Sequence, residues 1–206
     1  MKNIRIFSIF VILVSIACSS LKAQSISTEP IGTSHQWIDL GLTSGTKWAT
    51  CNVGASKPSE VGDHYAWGEL IPFYQPGETP IPDNDLYEIA GNNAYDAATA
   101  NWGAEWQTPT IQQFVELIKE CTWTWHEIDS QNGHLITGPN GNQIFLPAGG
   151  SYSLSKYIFP NEEGDYWTST LGENGIAAYD VYFHNGGARP GLHNRLICRN
   201  IRPVLK

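Results

Sequence analysis

From Trp123 to Val204 the chain is cut into short runs of β-branched and aromatic residues by turns rich in asparagine, glycine and proline. Runs of that length and composition make strands rather than helices. Trp123 and Trp125 alternate with threonines, the period of a half-buried strand. Asn132-Gly133 is the strongest short hairpin signal, because both central residues of a type I′ turn need φ > 0. HLITG then returns, Pro139-Asn140-Gly141 reverses the chain again, and NQIFLPAG leaves. YWTST from Tyr166, AAYDVYF from Ala177 and RLICRNIRPV from Arg195 supply three further strands across glycine-rich loops. Short turns between consecutive strands imply antiparallel pairing, so this half predicts a meander.

The first half is mixed. HQWIDLGL and TKWATCNVGA read as two strands around a turn at Thr43 to Gly45, and HYAWGEL from His64 as a third. One helix is clear, over about 111–121. Thr110-Ile111-Gln112-Gln113 fits a capping box, in which the threonine hydroxyl and the glutamine amide each satisfy a backbone N–H at the helix start. Ile111, Phe114, Val115, Ile118 and Cys121 recur at helical spacing, with Gln112, Glu116, Lys119 and Glu120 opposite them. A second, shorter helix is expected near Tyr95, in YDAATANWG. Helices early and strands late give an α+β class with long loops. The longest, from about Pro72 to Asn93, is rich in proline and polar residues, and loops of that length are commonly functional.

The chain opens with Lys2 and Arg5 before the apolar run Ile6 to Ala17. A dozen apolar residues behind basic ones read as a secretory signal, since a membrane span needs nearer ~20. Cleavage after Ala23 is favoured over lipid attachment at Cys18, so residues 1–23 are a signal peptide, 24–34 a flexible lead-in and 35–206 the domain. No later run is long and apolar enough for a transmembrane span. Loss of Lys2, Arg5 and Lys22 leaves nine basic residues against twenty acidic ones, a formal charge of −11. Nucleic acid, whose phosphates demand clustered Lys and Arg, is excluded as a partner. Cys51, Cys121 and Cys198 remain after cleavage. In an oxidising compartment one disulfide is expected, with the pairing among the three left open.

The blocks WIDLGLTSGTKWATCNVGASKPSEVGDHYAWGEL, WGAEWQTPTIQQFVELIKECTWTW, GPNGNQIFLPAGGSY, GDYWTST and NIRPVLK follow one another in order, from about Trp37 to Val204. Together they resemble the Fibrobacter succinogenes major paralogous domain family. The resemblance implies a C-type-lectin-like fold, related to the sulfatase-modifying domain, in which strands from the two chain ends pair around helices. It implies no activity, because most of that family is functionally uncharacterised.

Such a fold directs attention to the loop before YWTST. Asn161, Glu162, Glu163 and Asp165 offer oxygen ligands of the kind calcium takes. Calcium-dependent lectins carry further carboxylates and amides after a tryptophan; here Trp167 is followed by Thr168-Ser169-Thr170. Half of such a site is missing, so a solvated acidic turn is the favoured reading. Asp83, Asn84, Asp85 and Glu88 form a second acidic group without the spacing of an EF-hand. Of the tryptophans and tyrosines, Trp67, Tyr74 and Tyr87 are the ligand-binding candidates, lying in or near loops. Enzyme signatures are wanting: no HExxH, no GxSxG, and only Cys198 as a candidate for oxidative thiol chemistry. The sequence therefore predicts an exported, non-catalytic recognition module for glycan or protein, with no cofactor required and calcium the one ion in question. A structural or assembly component of the cell envelope is the alternative. Its contacts would come from the long loop and from the loops around Pro160 and Gly187, since loops on a rigid scaffold are where binding concentrates.

Overall fold

A computed structural model describes residues 35–72 and 86–206. Its first sheet joins the two ends of that region. β1 (Trp37–Asp39) and β2 (Lys47–Ala49) form a hairpin closed by Gly45 N–H donating to Leu42 O at 2.9 Å. Gly45 has φ +74°, a conformation only glycine adopts without steric cost. Trp48 of β2 pairs with Val204 of β12 (Val204–Leu205), and β12 pairs on its other side with β3 (Trp106–Gln107). The order is β1-β2-β12-β3, antiparallel throughout.

Both helices follow their local chemistry. α1 (Ala97–Trp102) starts at Asp96, whose buried carboxylate accepts from the Ala98 N–H at 3.0 Å and from the backbone and hydroxyl of Thr108. α2 (Ile111–Glu120) carries the capping box. Gln113 N–H donates to Thr110 Oγ1 at 3.3 Å, and Thr110 N–H to Gln113 Oε1 at 2.9 Å. Phe114 and Leu117 of α2 are fully buried and Ile118 and Cys121 pack beside them, while Ile111 and Val115 stay partly exposed. The buried stripe is thus 114, 117, 118, 121, centred on a leucine that the expected face left out.

The second half forms two three-stranded antiparallel sheets and a small hairpin. β4 (Thr122–Ile128), β5 (Gln131–Thr137) and β6 (Gln143–Pro147) make one sheet. β9 (Glu163–Leu171), β10 (Ala177–His184) and β11 (Gly187–Asn194) make the other, and β7 (Ser151–Ser153) pairs with β8 (Lys156–Ile158) between them. β9 is buried on both faces and separates two cores. Tyr166 faces Phe114, Ile136, Val181 and Phe183; Trp167 faces Tyr65, Trp67, Ala178 and Ile201. Among the described residues, mostly antiparallel strands with two helices make the class α+β, as the sequence suggests.

Four local expectations change. The hairpin between β4 and β5 turns at Asp129-Ser130, with φ +53° and +64°, and Asn132-Gly133 lies inside β5. Gly133 is there for closeness: a Cβ on it would stand 2.2 Å from Leu146 O. The third strand of the last sheet is Gly187–Asn194 rather than the run from Arg195, and its Pro190 is tolerated because β11 is an edge. Residues 198–200 make only single bridges, to Tyr152, Tyr65 and Tyr166, and HYAWGEL is held by the Tyr65 bridge rather than forming a strand. Finally, Cys51, Cys121 and Cys198 are all unpaired, so the expected disulfide is not formed.

Candidate functional site

β9 and β10 pair with Glu163 opposite His184 and Asp165 opposite Tyr182. This register brings the acidic turn before β9 beside the far end of β10. The Tyr182 hydroxyl donates to Glu163 Oε1 at 2.8 Å, and the Arg189 guanidinium lies over the Tyr182 ring, 5.4 Å from its centre. Burial, then the neighbouring Glu163 carboxylate, pushes the Tyr182 phenol up to about 12, so the hydroxyl remains a donor throughout the physiological range. Asn161 has φ +64° and ties the turn to β5. Its Oδ1 accepts from Asn132 N–H at 2.6 Å and from Gln131 Nε2 at 3.0 Å, while Asn132 Nδ2 donates to Asn161 O at 3.1 Å.

Trp125 of β4 closes the opposite side. It stands across from His134 in the β4–β5 ladder and packs against that imidazole edge-on at 5.2 Å, which leaves it half-buried. His134 Nε2 meets the His184 carbonyl at 2.9 Å, and since a carbonyl only accepts, that nitrogen carries the proton. Burial lowers the pKa of His134, keeping it neutral. His184 Nδ1 accepts from Gly186 N–H at 2.8 Å, which fixes its own proton on Nε2 when neutral. Between these groups runs an open groove of about 470 Å3, edged by Trp125 and Tyr182 and carrying Glu162, Asn185 and His184. Aromatic bodies flank carboxylates, amides and an imidazole within it. Such a lining can cover an apolar ring face and hydrogen-bond a hydroxylated edge at the same time.

The four proposed calcium ligands are separated by this arrangement. Asp165 points into the interior, where it pairs with Arg199, and Arg199 Nη1 also lies 3.0 Å from Asp180 Oδ2. Asn161 Oδ1 is taken by β5, and Glu163 is engaged by Tyr182. Among the described residues no three His, Cys, Asp or Glu side chains gather in a way that could hold a metal. Only Asn161, Glu162 and Glu163 of the four share the groove, and they do so as part of a polar wall.

Trp67 is not a surface aromatic. It is 2 % exposed, sits in the second core, and donates from Nε1 to Thr168 O at 2.9 Å. Its burial follows from the Tyr65–Arg199 bridge, which holds this segment against β9. Tyr87 is exposed at 61 %, but its carbonyl accepts from Leu171 N–H, at the end of β9 remote from Glu163. Eight residue steps along β9 from Glu163 to Leu171 put the two ends roughly 26 Å apart. Tyr74 lies outside the described residues, as do Asp83, Asn84 and Asp85. Cys198 is buried, and burial raises its thiol to about 12, which leaves it protonated and a poor nucleophile.

Trp125, Asn132, Tyr182, His184 and Asn185 were not singled out by sequence as site residues. Trp125 showed only the alternation of a strand, and nothing local says that position 184 faces position 163. Compared with protein-family models, curated proteins and solved structures, the chain matches none.

Proposed function

We propose that this chain is an exported, non-catalytic recognition module that holds a glycan in the groove between Trp125 and the Glu162–Glu163 turn. The observation that carries this reading is the pairing of partly buried aromatic rings with carboxylates and amides around one groove of about 470 Å3. Stacking on Trp125 covers the apolar face of a sugar ring, and Glu162, Asn185 and His184 meet its hydroxyls. The resemblance to the Fibrobacter succinogenes major paralogous domain family supports the reading through its C-type-lectin-like scaffold. The apolar run Ile6 to Ala17 supports export, with cleavage after Ala23 favoured over a lipid anchor at Cys18.

A glycan-binding screen of residues 24–206, run once with calcium and once with EDTA, tests it. Binding is expected to be indifferent to EDTA, because the oxygen ligands are divided between interior and groove. Trp125→Ala should weaken that binding about tenfold, near 1.4 kcal/mol, and Tyr87→Ala should leave it unchanged. Failure to bind any glycan in either buffer would sink the proposal.

One observation favours a second reading, assembly with an envelope partner. Leu154, Tyr157 and Phe159 lie on or beside the β7–β8 hairpin with exposures of 87 %, 42 % and 52 %. Apolar side chains grouped in that way mark contact surfaces. If cross-linking within the envelope is lost in Leu154→Glu while glycans fail to bind, this reading replaces the first.

A further inference from the structure

The β4–β5–β6 sheet has two unlike faces. One carries Ile136, Ile144 and Leu146 into the core. On the other, the register sets Thr124, Leu135 and Phe145 in a row, with Ile128 at the strand end. Among the described residues that second face is only partly roofed. His35–Ile38 and the loop from Thr50 to Pro58 cross above it and leave a cleft of about 730 Å3. This lies inside the range of ~300–1,000 Å3 typical of small-molecule sites, which are concave, mostly apolar and marked by a few polar groups.

Lining chemistry narrows the class of ligand. Ile128, Leu135 and Phe145 form the floor. One wall is the indole of Trp102 with His35 stacked on it, centroids 3.8 Å apart and planes 7° from parallel. Polar groups stand around the apolar floor and include the amides of Gln36 and Gln143 and the hydroxyl of Thr50. Among the described residues no carboxylate lines the cleft, although the chain holds 20 acidic residues against 12 basic ones. The one ammonium that lines it among the described residues, Lys57, is neutralised by Asp129 at 3.2 Å, and both are about half exposed. A charged ligand would therefore lose its hydration for an apolar floor that the described residues give no free counter-charge, at a cost that an uncharged one escapes. Cys51 also lines the cleft, unpaired and half-buried.

We propose that this cleft is a second binding site, distinct from the groove at Trp125, for an uncharged small molecule with an apolar body and a hydrogen-bonding edge. Ligand lies along Leu135 and Phe145 with one face toward Trp102, and its polar edge meets the amides of Gln36 and Gln143.

Titration with N-phenyl-1-naphthylamine, an uncharged fluorescent probe, tests this on residues 24–206. Saturable enhancement at one probe per chain is expected, together with slower alkylation of Cys51 by iodoacetamide, followed by mass spectrometry at that residue. Leu135→Glu should weaken the probe by more than about tenfold, by placing a carboxylate on the floor. Ala55→Trp, which fills the cleft from its other wall, should do the same and covers the case in which Leu135→Glu fails to fold. Leu154→Glu, on the exposed hairpin, should change nothing. An anionic analogue, anilinonaphthalene sulfonate, should bind about tenfold less tightly than the uncharged probe. No saturable binding, binding untouched by Ala55→Trp, loss in Leu154→Glu, or equal affinity for the sulfonate would each overturn the proposal.

Discussion

Arg202 is fully buried and, among the described residues, meets no carboxylate. Its guanidinium donates to Asn52 Oδ1 at 2.8 Å and to the carbonyls of Ala49, Thr50 and Phe145 at 3.0, 3.0 and 2.9 Å. A cation held by oriented carbonyls draws three separate segments together at one point. Arg202→Met keeps much of the volume but strands the buried acceptors on Asn52, Ala49 and Phe145, each worth about 1–3 kcal/mol. Urea unfolding should show a loss on the order of 3 kcal/mol or more, and an unchanged midpoint would mean that the carbonyls find other donors. Two histidines set a pH dependence of their own. His64 and His134 both have pKa values lowered from 6.5, by burial first, and each has its Nε2 against a backbone carbonyl. Above 6.5 both are neutral folded or unfolded, so their contribution is fully present. As pH falls below 6.5 the unfolded chain takes up protons that the folded one refuses, and stability is lost until the folded pKa values are passed. The slope is at most about 1.4 kcal/mol per pH unit for each group. Unfolding midpoints measured from pH 7 to 5 should fall in the native chain, less in His134→Phe, and least in a variant that replaces both.

At the scale of elements, the β4–β5 hairpin separates turn chemistry from packing. Ser130 holds φ +64°, where a glycine is free of the steric cost that other side chains bear. Gly133, three residues further on, cannot accept a Cβ because Leu146 O stands 2.2 Å from where it would go. Ser130→Gly should therefore gain up to about 1 kcal/mol, and Gly133→Ala should cost about 1–3 kcal/mol. The reverse order would return the turn to Asn132-Gly133. This hairpin also shows what the sequence could and could not tell. Thr110 to Gln113 announced α2 because a cap and its partner lie within one turn, and Pro139-Asn140-Gly141 gave a true reversal, with Gly141 N–H donating to Gly138 O. Asn132-Gly133 misled because glycine serves a close approach as readily as a turn. GARPGLHN hid β11 for the opposite reason: its Gly and Pro suit an edge strand whose alignment comes from β10. The groove was hidden most completely. Its acidic turn was visible, but Trp125 and Tyr182 reach it only through two sheet registers, and Trp67 was drawn the other way, into a core, by a bridge between Tyr65 and Arg199.

Over the whole molecule, the first sheet turns a linear order into a closed one. β2 and β3 never pair with each other; β12 lies between them, with Val204 opposite both Trp48 and Gln107. Pro203 O accepts from Ala49 N–H at 2.9 Å, and Lys206 N–H donates to Glu105 O at 2.9 Å. Val204 is wholly buried among Trp48, Phe114 and Leu117, so the last four residues bring apolar contact as well as ladder bonds. Contacts between such distant parts of the chain are costly in loop entropy and form only when the rest is ordered. Removing residues 203–206 leaves Trp48 and Trp106 without their common neighbour and exposes the edge of β2. Urea unfolding of that truncated chain, followed by tryptophan fluorescence and by circular dichroism, should show a lower midpoint, with the fluorescence transition preceding loss of secondary structure. Removing Lys206 alone, which deletes one backbone bond and no buried side chain, should shift the midpoint by no more than about 1 kcal/mol. If the longer truncation leaves both transitions coincident and unmoved, the end-to-end sheet is not part of the cooperative unit, and the two cores on either side of β9 hold the fold without it.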